Sequence, residues 1–138
     1  MSFAALPFDE QLAHLRALVA ARGARPVAVL NIGGVANVTW IGDDGQLIAF
    51  DTGPGNALID DWMMKTAGRA FDAGGEAGLA GTVQSRVVAF FLDHPFFSER
   101  PPKSLDRNAF FWDLVEGLSV EDGAATLAAM TAGAVVKA

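Results

Sequence analysis

The apolar positions in the first half of the chain predict three β-strands in succession. Gly33-Gly34 separates the first run from the second, and a stretch with the hairpin signal Asp44-Gly45 separates the second from the third. All three runs have the length and the β-branched or apolar character of strands. They are VAVLNI (27–32), VANVTWI (35–41) and LIAF (47–50). The pattern therefore predicts an antiparallel three-stranded meander.

Helical periodicity dominates the rest of the chain. The segments that show it are Asp9 to about Gly23, with Leu12, Leu15, Leu18 and Val19 on one face; ALIDDWMMKTAG (57–68), stopped by Gly68; VQSRVVAFFLDH (83–94), closed by Pro95; and RNAFFWDLVEGL (107–118), with Phe110, Phe111, Leu114, Val115 and Leu118 on one stripe. Ser119 and Asp122 resemble a capping box that opens a last helix. FDAGGEAGLAG (71–81) predicts a glycine-rich loop and PFFSERPPKS (95–104) an extended connection. The order predicts an α/β fold, in which helices cover a mixed sheet that contains the antiparallel meander.

Composition excludes several classes of function. The chain has 138 residues, of which 51% are apolar and 19% charged, as expected for a globular protein. Its net charge of -6, without a cluster of Lys or Arg, argues against a nucleic-acid partner. The first residues lack the pattern of a signal peptide, and no apolar run approaches the ~20 residues that span a bilayer. We therefore expect neither a nucleic-acid nor a membrane partner.

Cysteine and histidine usage narrows the chemistry further. The absence of cysteine excludes disulfides and thiolate sites, and it fits a reducing cytoplasm. His14 lies in the first predicted helix and His94 precedes a proline. With the two histidines so placed, the sequence predicts no metal site from the protein alone and no Ser-His-Asp triad.

The first candidate motif, NIGG (31–34), follows the first predicted strand. Two adjacent glycines let backbone N–H groups approach an anion closely, and the amides of Asn31 and Asn37 could add contacts. The alternative is purely structural, since a bulge or tight bend between strands also favours glycine. Asn31, Gly33 and Gly34 are therefore candidates for phosphate binding.

The second candidate motif, FDTGPGN (50–56), places Asp51 where the third strand ends. A carboxylate held there by the sheet could act as a general base on a hydroxyl group or water. Thr52, Gly53 and Gly55 would expose N–H groups beside it, and Asn56 could cap the following helix, whose positive end favours a polar ligand. The alternative is an Asx-turn at Asp51 and a simple cap at Asn56.

Further polar residues follow this motif. Asp60 lies one helical turn past Asn56 and could face the same site, which makes it a candidate for substrate binding. Asp61 is expected in solvent and Trp62 in the core. Asp72 could position a ligand or stabilise its own turn. In the later loop, the alternatives are an anion site or simple solvation for Lys103, Ser104 and Arg107.

NIGGVANVTW (31–40) and FDTGPGNALIDDW (50–62) together resemble the anhydro-N-acetylmuramic acid kinases, within the sugar kinase/Hsp70/actin ATPase superfamily. The resemblance continues through FDAGGEAGLAG, DHPFF, PPKS and the stretch at 122–127, and it covers nearly the whole chain from about Val27. It implies an actin-like ATPase (ribonuclease H-like) fold. Residues 1–138 would then form a single partial domain, similar to the central part of a two-lobed sugar kinase.

The resemblance also implies a reaction. Family members transfer the γ-phosphoryl group of ATP, with Mg²⁺, to O6 of 1,6-anhydro-N-acetylmuramate while water opens the anhydro bridge, in cytoplasmic recycling of the bacterial cell wall. Asp51 matches the family's general base, which activates that water, and residues 31–34 match the second phosphate-binding turn. The resemblance further suggests a homodimer.

Two departures from the family pattern shape our expectations. After PPKS the family continues Thr-Gly-Arg-Glu, whereas this chain has LDRN (105–108), and the family's Gly-Thr-Ser-x-Asp-Gly loop is absent from the sequence. We therefore expect the isolated chain to turn over poorly. The alternative is a noncatalytic module for sugar binding or subunit association. Exposed apolar surface predicts dimers or larger species, with candidate contacts at Phe90, Phe91, Phe110 and Phe111.

Overall fold

The computed structural model describes residues 23–138, together with isolated positions in the segment before them. These positions are helical and exposed; they are Glu10, Ala13, His14, Ala17 and Ala20. The predicted cap at Asp9 and the predicted apolar face of this segment lie outside the described residues.

The described strands form one antiparallel sheet in the order β1-β2-β3. The strands are β1 (Val27–Ile32), β2 (Val35–Ile41) and β3 (Leu47–Pro54). The predicted meander is confirmed, and Asp44-Gly45 forms its turn: Gly45 has a φ of 83°, and the Asp44 carboxylate accepts the Gln46 N–H at 2.9 Å. Because every pairing among the described strands is antiparallel, the sheet they form is not the mixed sheet expected from the sequence.

Strand β1 lies at one edge of this sheet. Among the described residues its only neighbouring strand is β2. Two of its apolar side chains, Leu30 and Ile32, remain 43% and 46% exposed. The described part of the chain therefore leaves an apolar, unpaired strand edge.

Residues 23–138 contain four α-helices, of which the first and the last pack against the sheet and the other two pack against the last. They are α1 (Asn56–Ala67), α2 (Glu76–Ala80), α3 (Ser85–Leu92) and α4 (Val120–Lys137). Three 3-10 helices join them, at Ala73–Gly75, Pro95–Ser98 and Trp112–Val115. The predicted helices at 57–68 and 83–94 are confirmed, and Gly68 ends α1 in the left-handed conformation at φ 63°. The hydroxyl oxygen of Ser119 accepts the Asp122 N–H at 3.1 Å, as the capping prediction required.

Two sequence predictions about connections were wrong. The stretch 71–81 is not only a loop, because the Asp72 carboxylate accepts the N–H groups of Ala77 and Gly78, both at 2.9 Å, and so stabilises α2 despite its glycines. The stretch 107–118 is not one continuous helix, because only Trp112–Val115 is helical, as a 3-10 helix. Its N-terminal part is held by the Asp106 carboxylate, which accepts the Asn108 N–H at 2.7 Å, and the backbone is extended just before Trp112.

The extended connection predicted for 95–104 is only partly correct. Its first residues form the 3-10 helix Pro95–Ser98, because Nδ1 of His94 accepts the Phe96 N–H at 3.2 Å and starts the turn.

The hydrophobic core lies among the helices, with α4 at its centre. Trp62 is buried there, as predicted, and its indole N–H donates to the Val120 carbonyl at 3.0 Å. The other large side chains of this core come from α1, α3, α4 and the 3-10 helices; they include Leu58, Met63, Phe91, Phe96, Phe97, Leu127 and Met130. The sheet therefore packs against one side of a core that the helices form.

The two glycine-bearing motifs are joined by backbone hydrogen bonds. The Gly33 carbonyl accepts the Asn56 N–H at 2.7 Å, and the Gly34 carbonyl accepts the N–H groups of Gly55 at 2.9 Å and Ala57 at 3.3 Å. These N–H groups at the start of α1 have no acceptors within the helix, so the turn between β1 and β2 supplies them. We call this set of contacts the turn–helix junction.

The side chain of Asn56 does not cap α1, contrary to the sequence prediction. It is the first residue of the helix, and its amide donates to the Ile32 carbonyl at 3.1 Å. Gly55 holds the cap position without a side-chain contact. The junction between strand and helix thus replaces the usual polar cap.

Substitution of Gly55 tests the turn–helix junction. A Cβ at Gly55 would overlap the Gly33 carbonyl oxygen, whereas a Cβ at Gly34 would lie 3.6 Å from the Ala57 Cβ, an ordinary contact. We expect Gly55→Ala to lower the free energy of unfolding by about 2 kcal/mol and Gly34→Ala to change it by less than about 0.5 kcal/mol. Urea unfolding of both variants measures this, and equal effects would contradict it.

Candidate functional site

Three predicted site residues lie in a row across the sheet. Asn37 is opposite Asn31 on β1 and opposite Asp51 on β3. Side chains of directly opposed residues point to the same face, so the amides of Asn31 and Asn37 and the carboxylate of Asp51 are neighbours. Asn31 is exposed, and the other two are half-buried. We call these three residues the polar row.

A β-bulge in β3 separates Asp51 from the glycines that follow it. Asn37 opposes Asp51 while the preceding residue, Ala36, opposes Gly53, so Thr52 is the extra residue of β3. Counted from β2, Asp51 and Gly53 therefore face opposite sides of the sheet. The bulge lets the strand direct Asp51 to one face and the backbone around Gly53 towards the helical core.

Asp51 is fixed by a segment far along the chain. Its Oδ2 accepts the Leu105 N–H at 2.7 Å, and its own N–H donates to the Lys103 carbonyl at 3.0 Å. The carboxylate is therefore held at the rim of the sheet. Neither an Asx-turn nor free exposure to solvent describes it.

The expectation that Thr52, Gly53 and Gly55 expose N–H groups for a ligand is not met. All three residues are buried, and the Gly55 N–H donates within the turn–helix junction. A Cβ at Gly53 would lie 2.9 Å from the Ala134 Cβ, so packing against α4 requires glycine there. Thr52 is 1% exposed, and its hydroxyl has no hydrogen-bond partner among the described residues.

The glycines of the first motif have a different environment. Gly34 is exposed and Gly33 half-buried, and neither has a positive φ. Cβ atoms at these positions would make only ordinary contacts, at 3.5 Å from the Val35 carbonyl oxygen and 3.6 Å from Ala57. Nothing in the described chain requires glycine at this turn, and the exposure of Gly34 leaves the turn accessible.

Asp60 lies in a cleft on the other side of the sheet. It lines a cavity of about 640 Å³ with Asn56 and residues of α4. A neighbouring groove shares Asn56 and is lined by Leu30 and Ile32, whose side chains point away from the face of Asn31. The structure thus brings Asn56 and Asp60 together but does not place Asp60 beside the carboxylate of Asp51.

The surroundings of Asp60 shift the pKa of its carboxyl. Burial raises the pKa of its carboxyl above the usual range, and the neighbouring Asp61 raises it further, while Arg107 opposes both effects. Asp61 is exposed, as predicted, and forms an ion pair with Arg107 at 3.5 Å. The Asp60 carboxyl therefore holds its proton more strongly than an exposed aspartate does.

Lys103 and Arg107 do not form an anion site. The Lys103 ammonium donates to the Phe96 carbonyl at 2.9 Å and lies 4.5 Å from the centre of the Phe96 ring. Burial lowers the pKa of Lys103, Lys137 lowers it further, and Glu99 opposes the shift. The contact of residues 103–105 with Asp51 was missed by sequence reasoning, since no local pattern in PPKSL indicates it.

The described residues contain neither a cluster of metal ligands nor a membrane-spanning helix. No group of three or more His, Cys, Asp or Glu side chains in this part of the chain could hold a metal ion. No helix there combines the length and the apolar composition needed to cross a membrane.

Comparison with known proteins identifies the family. The family model for anhydro-N-acetylmuramic acid kinase matches residues 12–138. Proteins named anhydro-N-acetylmuramic acid kinase are 56% identical over 126 residues in Paramagnetospirillum magneticum, 59% over 124 residues in Methylobacterium nodulans and 54% over 123 residues in Rhodospirillum rubrum. The matches cover 89%, 89% and 88% of this chain but 35%, 33% and 33% of the relatives.

The chain therefore spans about a third of the length of these relatives. The match runs through both glycine-bearing motifs, the polar row and the segment that holds Asp51. The resemblance seen in the motifs is confirmed, and the chain belongs to the anhydro-N-acetylmuramic acid kinase family.

Proposed function

We propose that this chain carries part of the active site of an ATP-dependent kinase that phosphorylates 1,6-anhydro-N-acetylmuramate at O6. The observation that supports this most directly is the position of Asp51. The Leu105 N–H holds its carboxylate in one row with the amides of Asn31 and Asn37. Asn31 and Asn37 lie on the two strands that flank the turn at Gly33-Gly34. A base and a phosphate-binding turn side by side are what this reaction requires.

In this proposal Asp51 acts as the general base. It accepts a proton from the water that attacks C1 of the sugar, and the new C1–O bond forms as the C1–O6 bond of the anhydro bridge breaks. O6 receives the γ-phosphoryl group of ATP as the bond from the γ-phosphorus to the bridging oxygen breaks and ADP leaves. Asn31 and Asn37 are placed to hydrogen-bond the sugar or the attacking water. Because Asp60 lies on the other side of the sheet, it has no part in this step.

The phosphate groups of ATP would lie over Gly33 and Gly34. Phosphoryl transfer depends on positioning and on stabilisation of charge, and an open glycine turn lets backbone groups approach the phosphates closely. Mg²⁺ would supply neutralising charge there, bound chiefly by phosphate oxygens and water. Since the chain spans about a third of its relatives, we propose that it supplies one side of this site within an actin-like fold, and that full turnover requires further residues.

Calorimetry with 1,6-anhydro-N-acetylmuramate tests the role of Asp51. We expect Asp51→Asn to weaken sugar binding roughly tenfold, because a hydrogen bond to a carboxylate is stronger than one to an amide. Asp43→Asn, at an exposed position of the β2–β3 turn, is the matched control and should leave affinity unchanged. With ATP added, the isolated chain should show no steady phosphorylation. Equal affinity of wild type and Asp51→Asn, or steady turnover by the isolated chain, would contradict these expectations.

A second candidate function is association with another copy of the chain. Phe90 and Phe111 are 69% and 61% exposed, and both line a cleft of about 410 Å³. Of the other two predicted contacts, Phe91 is buried, and the half-buried Phe110 ring stacks on Phe97 at 5.6 Å. Phe90 and Phe111 are therefore the most exposed of the four predicted side chains for a homodimer contact.

Light scattering tests this association. We expect wild type to be dimeric or larger at high concentration, and Phe90→Asp with Phe111→Asp to shift it towards monomer, because the charges would remain desolvated in the contact. Leu79→Asp is the control, as Leu79 is exposed but lines a different cleft. A monomeric wild type, or a control that dissociates equally, would contradict the contact.

A further inference from the structure

We propose that Lys103 is a positioning residue for Asp51. Lys103 anchors the segment 103–105 to the hydrophobic core, and that segment fixes the orientation of the Asp51 carboxylate. The effect of Lys103 on catalysis rests on the proposed role of Asp51 as the base. The effect of Lys103 on the orientation of the carboxylate does not depend on that role.

The segment 103–105 binds β3 in an unusual way. The Lys103 carbonyl accepts the Asp51 N–H, and the Leu105 N–H donates to the Asp51 carboxylate. If the segment formed a regular parallel strand pair with β3, the Lys103 carbonyl would accept the Asp51 N–H and the Leu105 N–H would donate to the backbone carbonyl of Asp51. Here the side-chain carboxylate takes the place of that carbonyl. The segment therefore fixes the orientation of the Asp51 side chain as well as the position of β3.

Lys103 holds this segment in place. Its ammonium donates to the Phe96 carbonyl at 2.9 Å and lies over the Phe96 ring, which is itself buried in the core. Burial lowers the pKa of Lys103, in agreement with partial desolvation of this contact. The nearby ion pair of Arg107 with Asp61 is exposed on both sides, so it contributes little to holding the segment.

Loss of this anchor should release the carboxylate. Without the Lys103 contacts the Leu105 N–H moves away from Asp51, and the carboxylate can rotate about its side-chain bonds. For a base that must meet one water at one carbon, a displacement of about 1 Å costs on the order of a hundredfold in rate. In this proposal, Lys103 acts on the reaction through the orientation of Asp51.

Hydrogen exchange by NMR on the full 138-residue chain tests the anchor without any ligand. We expect Lys103→Met to speed exchange of the Leu105 amide at least tenfold relative to the buried Trp62 indole N–H, and to abolish the scalar coupling across the hydrogen bond from Leu105 to the Asp51 carboxyl carbon. Lys103→Arg should retain the coupling. Lys65→Met is the matched control, because the Lys65 ammonium also lies over a ring, 4.9 Å from the centre of Trp112.

The outcomes separate this inference from the proposed function. Unchanged Leu105 exchange in Lys103→Met, or faster exchange spread equally over the whole chain, would overturn the anchor. Sugar affinity then gives the functional readout: Lys103→Met should weaken binding as Asp51→Asn does, and Lys65→Met should not. If Asp51→Asn weakens binding and Lys103→Met does not, positioning is overturned. If Asp51→Asn has no effect, the proposed function fails while the exchange data still decide the anchor.

Discussion

The turn–helix junction is the constraint on which the rest of the structure depends. A helix must find acceptors for its first N–H groups, and α1 finds them in the carbonyls of Gly33 and Gly34. These bonds fix where α1 leaves the sheet, and hence where the core side chains Leu58 and Trp62 meet α4. These bonds also occupy the N–H groups of Gly55, Asn56 and Ala57, which could otherwise have bound an anion at the start of α1. In the proposed function, a phosphate group would therefore approach the outer side of the turn.

Local signals in the sequence were sufficient for the elements and for part of the site. Alternating apolar runs, the Asp44-Gly45 turn and the glycine after α1 predicted the meander and the helix, because each depends on neighbouring residues. The prediction that Asp51 lies where the third strand ends was wrong, because β3 continues to Pro54. The partner of Asp51 was not predicted, because the Leu105 N–H lies 54 positions away, and no short pattern encodes a contact at that distance.

The bulge at Thr52 explains why the rest of the site was misjudged. Strict alternation along β3 would put Asp51 and Gly53 on one face of the sheet. If FDTGPGN were a single loop, its residues would all face one ligand site. The extra residue changes the alternation, so the carboxylate lies in the polar row while Gly53 packs against α4 and Gly55 against the Gly33 carbonyl. The glycines of DTGPGN are thus required by packing, whereas Cβ atoms at those of NIGG would make only ordinary contacts.

The edge of β1 has a consequence for association. Among the described residues no strand pairs on its outer side, and an edge strand with unpaired backbone groups is a template for strand addition. Leu30 and Ile32 of this strand are exposed and line a groove beside the C-terminal part of α4. A strand of another molecule that paired with β1 would therefore find apolar contacts next to the backbone groups it binds.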